Sequence, residues 1–243
     1  MSEQADQLIA LGIEASNPSA GGASVAVASL TRGADGWRVE HRGSELLDVS
    51  DRRRDDLMPA IDRLCQRAGI SPMDFGLIAI SAGPGGYTAV RTAVAVGAGL
   101  VLATRAKAVC VPTELALAIG VDWGAEPGSA FAIALASKRG EAWVRAFDSD
   151  GVPIAAGRPM DEAGFSALIE QAGIARLVVD RFCPESWRAR AVEMGVEVVP
   201  PTFSAAAVIE AGAGMAWTGA EGLAPIYPRE PEAVRVWRER HGS

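Results

Sequence analysis

The sequence predicts an α/β fold composed of two related halves, and three observations support this prediction. Short apolar runs such as Leu8–Glu14 and Leu77–Ala82 have the length of buried strands. Between them, apolar residues recur at helical spacing over residues 57–68. The predicted order is three strands, a helix, a strand, a helix and a strand. The actin-like and ribonuclease-H-like (ASKHA) fold has this order, and its two related halves pack face to face.

The composition is typical of a folded protein with a sizeable core. Hydrophobic residues make up 49% of the 243 residues and charged residues 22%, which excludes a disordered chain. The formal net charge of −7 argues against a broad basic surface that binds nucleic acid independently. Met1–Gln7 contains acidic residues and no basic one, so we expect no secretory signal. We therefore expect a cytoplasmic protein without a membrane span.

The cysteines and histidines argue against a metal site and against a disulfide framework. The three cysteines, at positions 65, 110 and 183, are isolated and odd in number. Histidine occurs only at positions 41 and 241, without the paired spacing of a zinc motif. We therefore expect no bound transition metal, and no credible Ser-His-Asp triad.

The first half is expected to begin with three strands that are linked as hairpins. Leu8–Glu14 and Ala23–Leu30 form the first two, and the third starts at Trp37. The segments between them are rich in glycine, proline and asparagine, which is typical of turns.

A helix is expected next, and Ser50 or Asp51 can cap its start. It extends to about Ala68, and Pro59 should kink it or mark its first turn. Its apolar face consists of Leu57, Ile61, Leu64, Cys65 and Ala68.

A glycine-rich turn follows the buried strand Leu77–Ala82. Gly83–Gly86 ends that strand, because glycine adopts positive φ and proline removes a hydrogen-bond donor. Thr88 can then cap a helix over residues 89–104. A strand, a glycine turn and a helix start can together bind an anion. However, no lysine follows the glycines, so a purely structural turn stays open as the alternative.

The helix after this turn predicts a packing surface. Ala89, Ala93 and Gly97 are small residues spaced four apart, which lets another backbone approach closely. The helix is too short to span a bilayer of roughly 20 residues, and Arg91 and Arg105 bracket it. Because it is apolar nearly all round, we expect it to be buried on more than its sheet side.

The second half repeats the alternation of strands and helices. The expected elements are a helix over 113–118, strands 129–136 and 141–147, a helix over 161–172, strand 177–180, a helix over 185–194 and strand 196–199. An alanine-rich helix over 204–217 is expected to cross back to the first half. We therefore divide the chain into a first half, 8–111 with the returning helix 204–218, a smaller second half, 112–203, and an extended tail, 219–243.

The stretch Gly83–Leu100 resembles the G-P-G-S-F-T-G-x-R-x-G signature of the TsaB (YeaZ) family. Members of this family are the dimerisation subunits of the bacterial complex that makes threonylcarbamoyl-adenosine (t6A) in tRNA. Four further stretches resemble the family in collinear order. They are residues 11–27, which resemble L-A-I-D-T-A-T…S-V-A-L, residues 53–64, which resemble H-S-x-x-L-L-P, residues 138–143, which resemble R-R-G-E-V-Y, and residues 225–229, which resemble P-x-Y-L-R.

Several positions depart from the family pattern. Glu14 and Ala136 stand where the family has aspartate, and Arg53 stands where it has histidine. Gly86-Tyr87 replaces Ser-Phe, and Ala89 replaces the second glycine. The changes at Glu14 and Ala136 weaken the case for Mg²⁺-nucleotide chemistry, which needs short carboxylates at a fixed reach.

The resemblance implies a non-catalytic subunit that pairs with a catalytic, TsaD-like subunit and a TsaE-like ATPase, and that meets tRNA only through the complex. It also implies a homodimer when the protein is isolated. The expected interface residues are Leu57, Ile61, Leu64, Ala89, Ala93, Val96, Gly97 and Leu100. A vestigial nucleotide or phosphate loop would consist of Glu14, Gly83, Gly85 and Thr88. No cofactor is expected, and ATP or ADP would bind weakly or at a partner interface at most.

Two alternatives belong to other functional classes. The first is a stand-alone ATP-dependent enzyme of the actin and sugar-kinase superfamily, with Glu14 and the loop 83–88 around the phosphates. The second is a peptidase, which would lack both metal ligands and a credible triad in this sequence.

Overall fold

The first half of the protein contains a five-stranded sheet. The computed structural model describes residues 7–17, 21–50, 55–121, 129–137, 140–227, 237–238 and 240–241. The strands of this sheet are β1 (Gln7–Glu14), β2 (Ser24–Gly33), β3 (Gly36–Leu46), β4 (Phe75–Gly83) and β5 (Lys107–Pro112). Their order is β3-β2-β1-β4-β5, with β1, β2 and β3 antiparallel and β4 and β5 parallel to β1.

The second half repeats this topology. Its strands are β6 (Ala130–Ala136), β7 (Ala142–Phe147), β8 (Arg158–Met160), β9 (Ile174–Val179) and β10 (Glu197–Val199). Their order is β10-β9-β6-β7-β8, and β9 and β10 are again the parallel strands. Each sheet therefore has a three-stranded meander extended by two parallel strands, which confirms the prediction of an actin-like fold with two related halves.

Helices cover both faces of the first sheet. Helices α1 (Leu57–Ala68) and α2 (Tyr87–Thr104) pack on one face, against Leu11, Val25 and Ile80. Helix α6 (Ala205–Ala213) packs on the opposite face, where strand residues such as Ala10 and Ala79 are small. As predicted, the chain therefore returns to the first half after the second sheet is complete.

Three helices belong to the second half or link it to the first. Helix α3 (Thr113–Ile119) follows β5 directly and packs against α6 and β6. Helices α4 (Glu162–Ala172) and α5 (Glu185–Glu193) cover the second sheet. Their buried aromatic residues, Phe165 and Trp187, stack at 4.7 Å between ring centroids in the core.

Several predicted element boundaries were wrong. The described part of α1 begins at Leu57, not near residue 51, and Asp55 and Asp56 precede it; residues 51–54 lie outside the described residues. Thr88 lies inside α2, whose N-cap is Gly86. Helix α6 ends at Ala213 rather than residue 217, and the short strand β8 was not predicted.

Helix α2 is the one helix, among the residues described, with the length and hydropathy to cross a membrane. Its 18 residues connect β4 to β5, which are hydrogen-bonded neighbours in one sheet. Six of its positions are buried. This placement is that of a sheet-covering helix in an α/β fold.

Candidate functional site: the glycine-rich turn and the exposed face of helix α2

The glycine-rich turn after β4 is compact because other backbone groups approach it closely. Gly83 has a φ of 111°, and a methyl group on it would lie 2.4 Å from the carbonyl oxygen of Ile226. A methyl group on Gly85 would lie 2.3 Å from the carbonyl oxygen of Ser16. The prediction that Gly83 and Gly85 occupy positions that disfavour a Cβ atom is therefore confirmed.

The C-terminal part of the chain lies across this turn. The backbone N–H of Ile226 donates to the carbonyl of Ala82 at 2.7 Å. The ring of Tyr227 stacks on Tyr87 with 5.4 Å between centroids, and Arg91 donates to the Tyr87 hydroxyl at 2.5 Å. The C-terminal segment is thus anchored beside the start of α2, whose first residues, Tyr87 and Thr88, stay exposed.

Glu14, at the end of β1, is a buried carboxyl group beside the turn. Its Oε1 accepts hydrogen bonds from the backbone N–H of Ser16 at 2.7 Å and from the Ser16 hydroxyl at 2.6 Å. Burial raises the pKa of Glu14 above its ordinary value, and hydrogen bonds from Ser16 and Ser81 only partly oppose that shift. Burial among the chain's own groups, with Oε1 already accepting two hydrogen bonds from Ser16, makes Glu14 a poor ligand for Mg²⁺.

Of the four residues predicted to form a phosphate loop, Glu14 and Gly85 lie against Ser16, whereas Gly83 lies against Ile226. Ser16 contacts both Glu14 and Gly85, and its carbonyl also accepts the N–H of Gly86 at 2.7 Å. Thr88 is exposed in the first turn of α2 and makes no described cap. The backbone N–H of Gly86 is therefore already hydrogen-bonded within the chain and is not available to an anion. This geometry favours a structural turn over a phosphate-binding loop.

The second half places a different carboxylate at the corresponding edge of its sheet. Asp180, which follows β9, is buried, and its Oδ2 accepts the backbone N–H of Ala136 at 2.7 Å. Its Oδ1 accepts the N–H of Phe182 at 2.7 Å. Ala136 has no carboxylate, and Asp180 was not predicted as a site residue, although an aspartate directly after a buried strand was a usable signal. Within the described ranges, no three His, Cys, Asp or Glu side chains cluster as metal ligands.

Most of the residues predicted to contact a partner are instead buried within the chain itself. Those buried in the core of the first half are Leu57, Ile61, Leu64, Ala93, Gly97 and Leu100. A methyl group on Gly97 would lie 2.2 Å from Cδ1 of Ile80, so this face of α2 packs on its own sheet. For these six residues the interface prediction is wrong. Ala89 and Val96 are partly exposed, and for them it stays a prediction.

The opposite side of α2 is the exposed one. Its exposed residues after the first two turns are Ala95, Gly99, Leu102 and Ala103, which we call the α2 stripe. Leu102 has 75% of its surface exposed, and a methyl group on Gly99 would have nothing within 4 Å among the described residues. Helix α2 contains no charged residue after Arg91, so the stripe is apolar, flat and uncharged.

Helix α1 presents a charged surface on its exposed side. Arg63 pairs with Asp56 at 2.7 Å and with Glu45 at 2.8 Å, and Arg67 also pairs with Glu45. Hydrogen bonds from Arg63 and Arg67 lower the pKa of Glu45. Exposed pairs of this kind contribute little to stability, but they orient the side chains that border a contact surface.

The described part of the chain does not place either histidine in a nucleophilic triad. His41 Nε2 lies 2.5 Å from Glu210 Oε1, on the surface between β3 and α6. His241 stacks on Trp237. Neither arrangement includes a hydroxyl or thiol nucleophile.

Comparison with known proteins agrees with this fold. The family model of TsaD, described as tRNA N6-adenosine threonylcarbamoyltransferase, matches residues 48–144, which is less than half of the chain. No curated protein matches the chain. The matched segment contains α1 and α2, the β4 strand between them and the glycine-rich turn.

Two solved structures from Pseudomonas aeruginosa have the same architecture. One is an uncharacterized protein with similarity to peptidase YEAZ; it is 20% identical, with a TM-score of 0.63 over 92% of this chain and 100% of that one. The other is YeaZ, also 20% identical, with a TM-score of 0.63 over 91% of this chain and 100% of that one. At this level of identity, the structural similarity establishes the fold.

Proposed function

We propose that this TsaB/YeaZ-like protein is a non-catalytic scaffold subunit that pairs with a TsaD-like catalytic subunit in the t6A modification of adenosine 37 of tRNA. A TsaE-like ATPase would complete the assembly, and tRNA would be contacted only through the complex, in the cytoplasm. In isolation the protein would form a homodimer. The proposal rests on the α2 stripe.

The α2 stripe has the properties of a contact surface. An apolar helix that covers a sheet normally exposes polar residues on its outer side, whereas α2 exposes alanine, glycine and leucine. Contiguous exposed apolar surface of this kind marks an interaction site in soluble proteins. Since Ala95 and Gly99 are small, a partner helix can approach the α2 backbone closely.

The other side of α2 holds the stripe in a fixed orientation. Ala93, Gly97 and Leu100 are buried on the sheet, so the helix cannot rotate without losing core packing. A rigid apolar surface loses little conformational entropy when it is covered. Burial of about 1,200–2,000 Å² in total, the range of a stable interface, would require neighbouring residues of α1 as well.

The match to the TsaD family model supports a TsaD-like protein as the partner. It covers α1 and α2, so a TsaD-like protein resembles this chain in the helices that carry the surface. Two related chains can then pack the same elements against each other around an approximate two-fold axis, as in an isologous dimer. The same geometry would let two copies of this chain pair when the partner is missing.

The glycine-rich turn supports the non-catalytic part of the proposal. Glu14 is buried and hydrogen-bonded to Ser16, and the segment around Ile226 lies across the turn. Phosphoryl transfer needs a carboxylate-bound Mg²⁺ and a basic phosphate clamp, which this arrangement does not favour. We therefore propose no cofactor, and binding of ATP or ADP at a partner interface at most. No specific observation favours the stand-alone kinase-like alternative.

The test introduces a charge into the α2 stripe. Ala95→Arg places a long cationic side chain at the N-terminal end of the stripe, at an exposed position outside the core. Ala167→Arg is the matched control, because Ala167 is also an exposed alanine in a helix, on α4 of the second half. Both variants should fold like the parent, by circular dichroism and thermal unfolding.

We expect Ala95→Arg to abolish co-purification with the cognate TsaD-like protein and to shift the isolated protein to a monomer in size-exclusion chromatography. Ala167→Arg should pair normally. Undiminished pairing by folded Ala95→Arg would reject the surface. If the parent protein did not support t6A formation with its cognate partner proteins, the assignment itself would be wrong.

A further inference from the structure

Two adjacent buried residues at the start of α3 connect the two sheets. Thr113 and Glu114 both have no exposed surface. They lie where the chain leaves β5 of the first half and enters the helix that packs against β6 of the second. Their side chains bond to opposite halves of the protein.

Thr113 bonds to the first half. Its Oγ1 lies 2.9 Å from the Ser81 hydroxyl of β4, which is also fully buried. Ser81 in turn lies close enough to Glu14 to influence the pKa of that carboxyl group. A chain of polar groups therefore leads from the end of β1 to the start of α3.

Glu114 bonds to the second half. Its Oε1 accepts the indole N–H of Trp143 at 3.0 Å and lies 3.3 Å from Nε of Arg145, both on β7. Trp143 and Arg145 are two residues apart in the strand and therefore share the sheet face toward α3. The indole has little room to move, because even a methyl group on Gly157 would lie 2.5 Å from its Nε1.

These bonds oppose relative movement of the two halves. Opening the halves would separate Glu114 from Trp143 and Arg145 inside the protein, where unpaired polar groups are costly. Glu114 Oε2 already has no hydrogen-bond partner among the described residues, so the contacts of Oε1 are the ones that satisfy this buried carboxyl group. Losing Oε1 contacts as well would leave the whole carboxyl group unsatisfied. The apolar contacts of Leu117 and Phe203 with the second sheet also oppose opening of the two halves. Unlike hydrogen bonds, apolar contacts do not fix an orientation.

We propose that Thr113 and Glu114 form a conformational lock that holds the two halves in one relative orientation. The chain then behaves as one rigid body and does not open and close as a hinged protein does. This inference is independent of the proposed partner, although a rigid body is what a scaffold requires.

The experiment measures the distance between the halves in the full chain. Spin labels are attached at Gln66→Cys on α1 and Gln171→Cys on α4, both exposed, in a Cys110→Ser background; Cys65 and Cys183 are buried. Double electron–electron resonance then gives the distribution of the label-to-label distance. We expect a single narrow distribution for the parent.

Glu114→Ala should broaden this distribution at least twofold, because the hydrogen bond from Trp143 and the ion pair with Arg145 are both lost. Glu114→Gln keeps an oxygen that accepts the Trp143 N–H, so its distribution should stay close to that of the parent. Glu193→Ala, at an exposed position of α5, controls for removal of a carboxylate elsewhere.

A narrow distribution in folded Glu114→Ala would overturn the proposal, even if its unfolding temperature falls, since local packing alone would explain that fall. If Glu114→Ala does not fold, Trp143→Phe decides the question. It removes only the indole N–H and retains an aromatic ring. A distribution as narrow as that of the parent in Trp143→Phe would then reject the lock.

Discussion

Gly97 of α2 lies directly over Ile80 of β4, so closely that a methyl group on Gly97 would be 2.2 Å from Cδ1 of Ile80. This contact determines which side of α2 packs on the sheet. For Gly99, two residues further along, no atom in the described part of the chain lies within 4 Å of the same methyl position. The two glycines of one helix therefore differ completely in their surroundings.

The first prediction uses this difference. Gly97→Ala should destabilise the protein by about 1–3 kcal/mol, because the added methyl overpacks a buried contact. Gly99→Ala should stabilise it by about 0.5–1 kcal/mol through helix propensity alone. Chemical denaturation of both variants measures the difference. Equal free energies of unfolding would contradict the described orientation of α2.

The second prediction concerns the glycine-rich turn. Gly85→Ser should destabilise by about 1–3 kcal/mol, since its Cβ would meet the Ser16 carbonyl oxygen at 2.3 Å. Gly86→Ser adds the same atoms at the N-cap of α2, where the nearest atom lies at 3.5 Å and serine is favoured. It should therefore be neutral or stabilising in the same urea titration. A turn that tolerated both serines equally would contradict the close packing of Ser16.

The third prediction is a pH dependence. Burial raises the pKa of Glu14, so the folded protein holds this proton more tightly than the unfolded chain. Its contribution to stability is therefore complete below the ordinary pKa of glutamate and is lost as pH rises through the folded-state pKa. Glu14→Gln cannot ionise and keeps an oxygen acceptor for Ser16.

We therefore expect the unfolding temperature of Glu14→Gln, relative to the parent, to be higher at about pH 8 than at about pH 5. Thermal unfolding at both pH values, in the same buffer and salt, measures this. A relative gain that is larger at the acidic pH would show that Glu14 is ionised and stabilised in the folded protein.

The fourth prediction tests the position of the C-terminal segment. Cys110 is partly buried beside the backbone of Ala224, and burial raises the pKa of its thiol. Tyr227→Ala removes the stack on Tyr87 and should loosen this segment, so that Cys110 reacts several-fold faster with a thiol reagent. Tyr227→Phe keeps the stack and is the control.

Peptide mapping by mass spectrometry identifies the modified cysteine. Cys65 and Cys183 are buried in the cores of the two halves and should remain slow in both variants. If Cys110 reacts at the same rate in Tyr227→Ala as in the parent, the segment does not depend on the aromatic stack.

The sequence alone determined the order of the elements and the position of the glycine-rich turn after β4. Apolar runs and turn residues specify strands and helices locally, so nearly every described element was predicted within a few residues. The apolar face of α1 was also readable, because its polar and apolar residues alternate at helical spacing. The need for glycine at positions 83 and 85 followed from the backbone of a tight turn.

Only the tertiary structure decided which face of α2 is exposed. That helix is apolar nearly all round, so its periodicity does not distinguish the side that packs on the sheet. Ala93 and Gly97 were predicted to meet a partner, but the fit of Gly97 over Ile80 turns them inward and turns Ala95 and Gly99 outward.

Contacts between distant parts of the chain could not be predicted from local sequence patterns either. Glu114 and Trp143 are 29 residues apart, and nothing local to either residue indicates that they meet. Strand β8 has three residues and exists because β7 offers it a hydrogen-bonding edge. Helix α6 stops at Ala213, and a few residues later Thr218 pairs with Ala108 of β5. In each case the deciding interaction comes from another element, which a local pattern of residues does not contain.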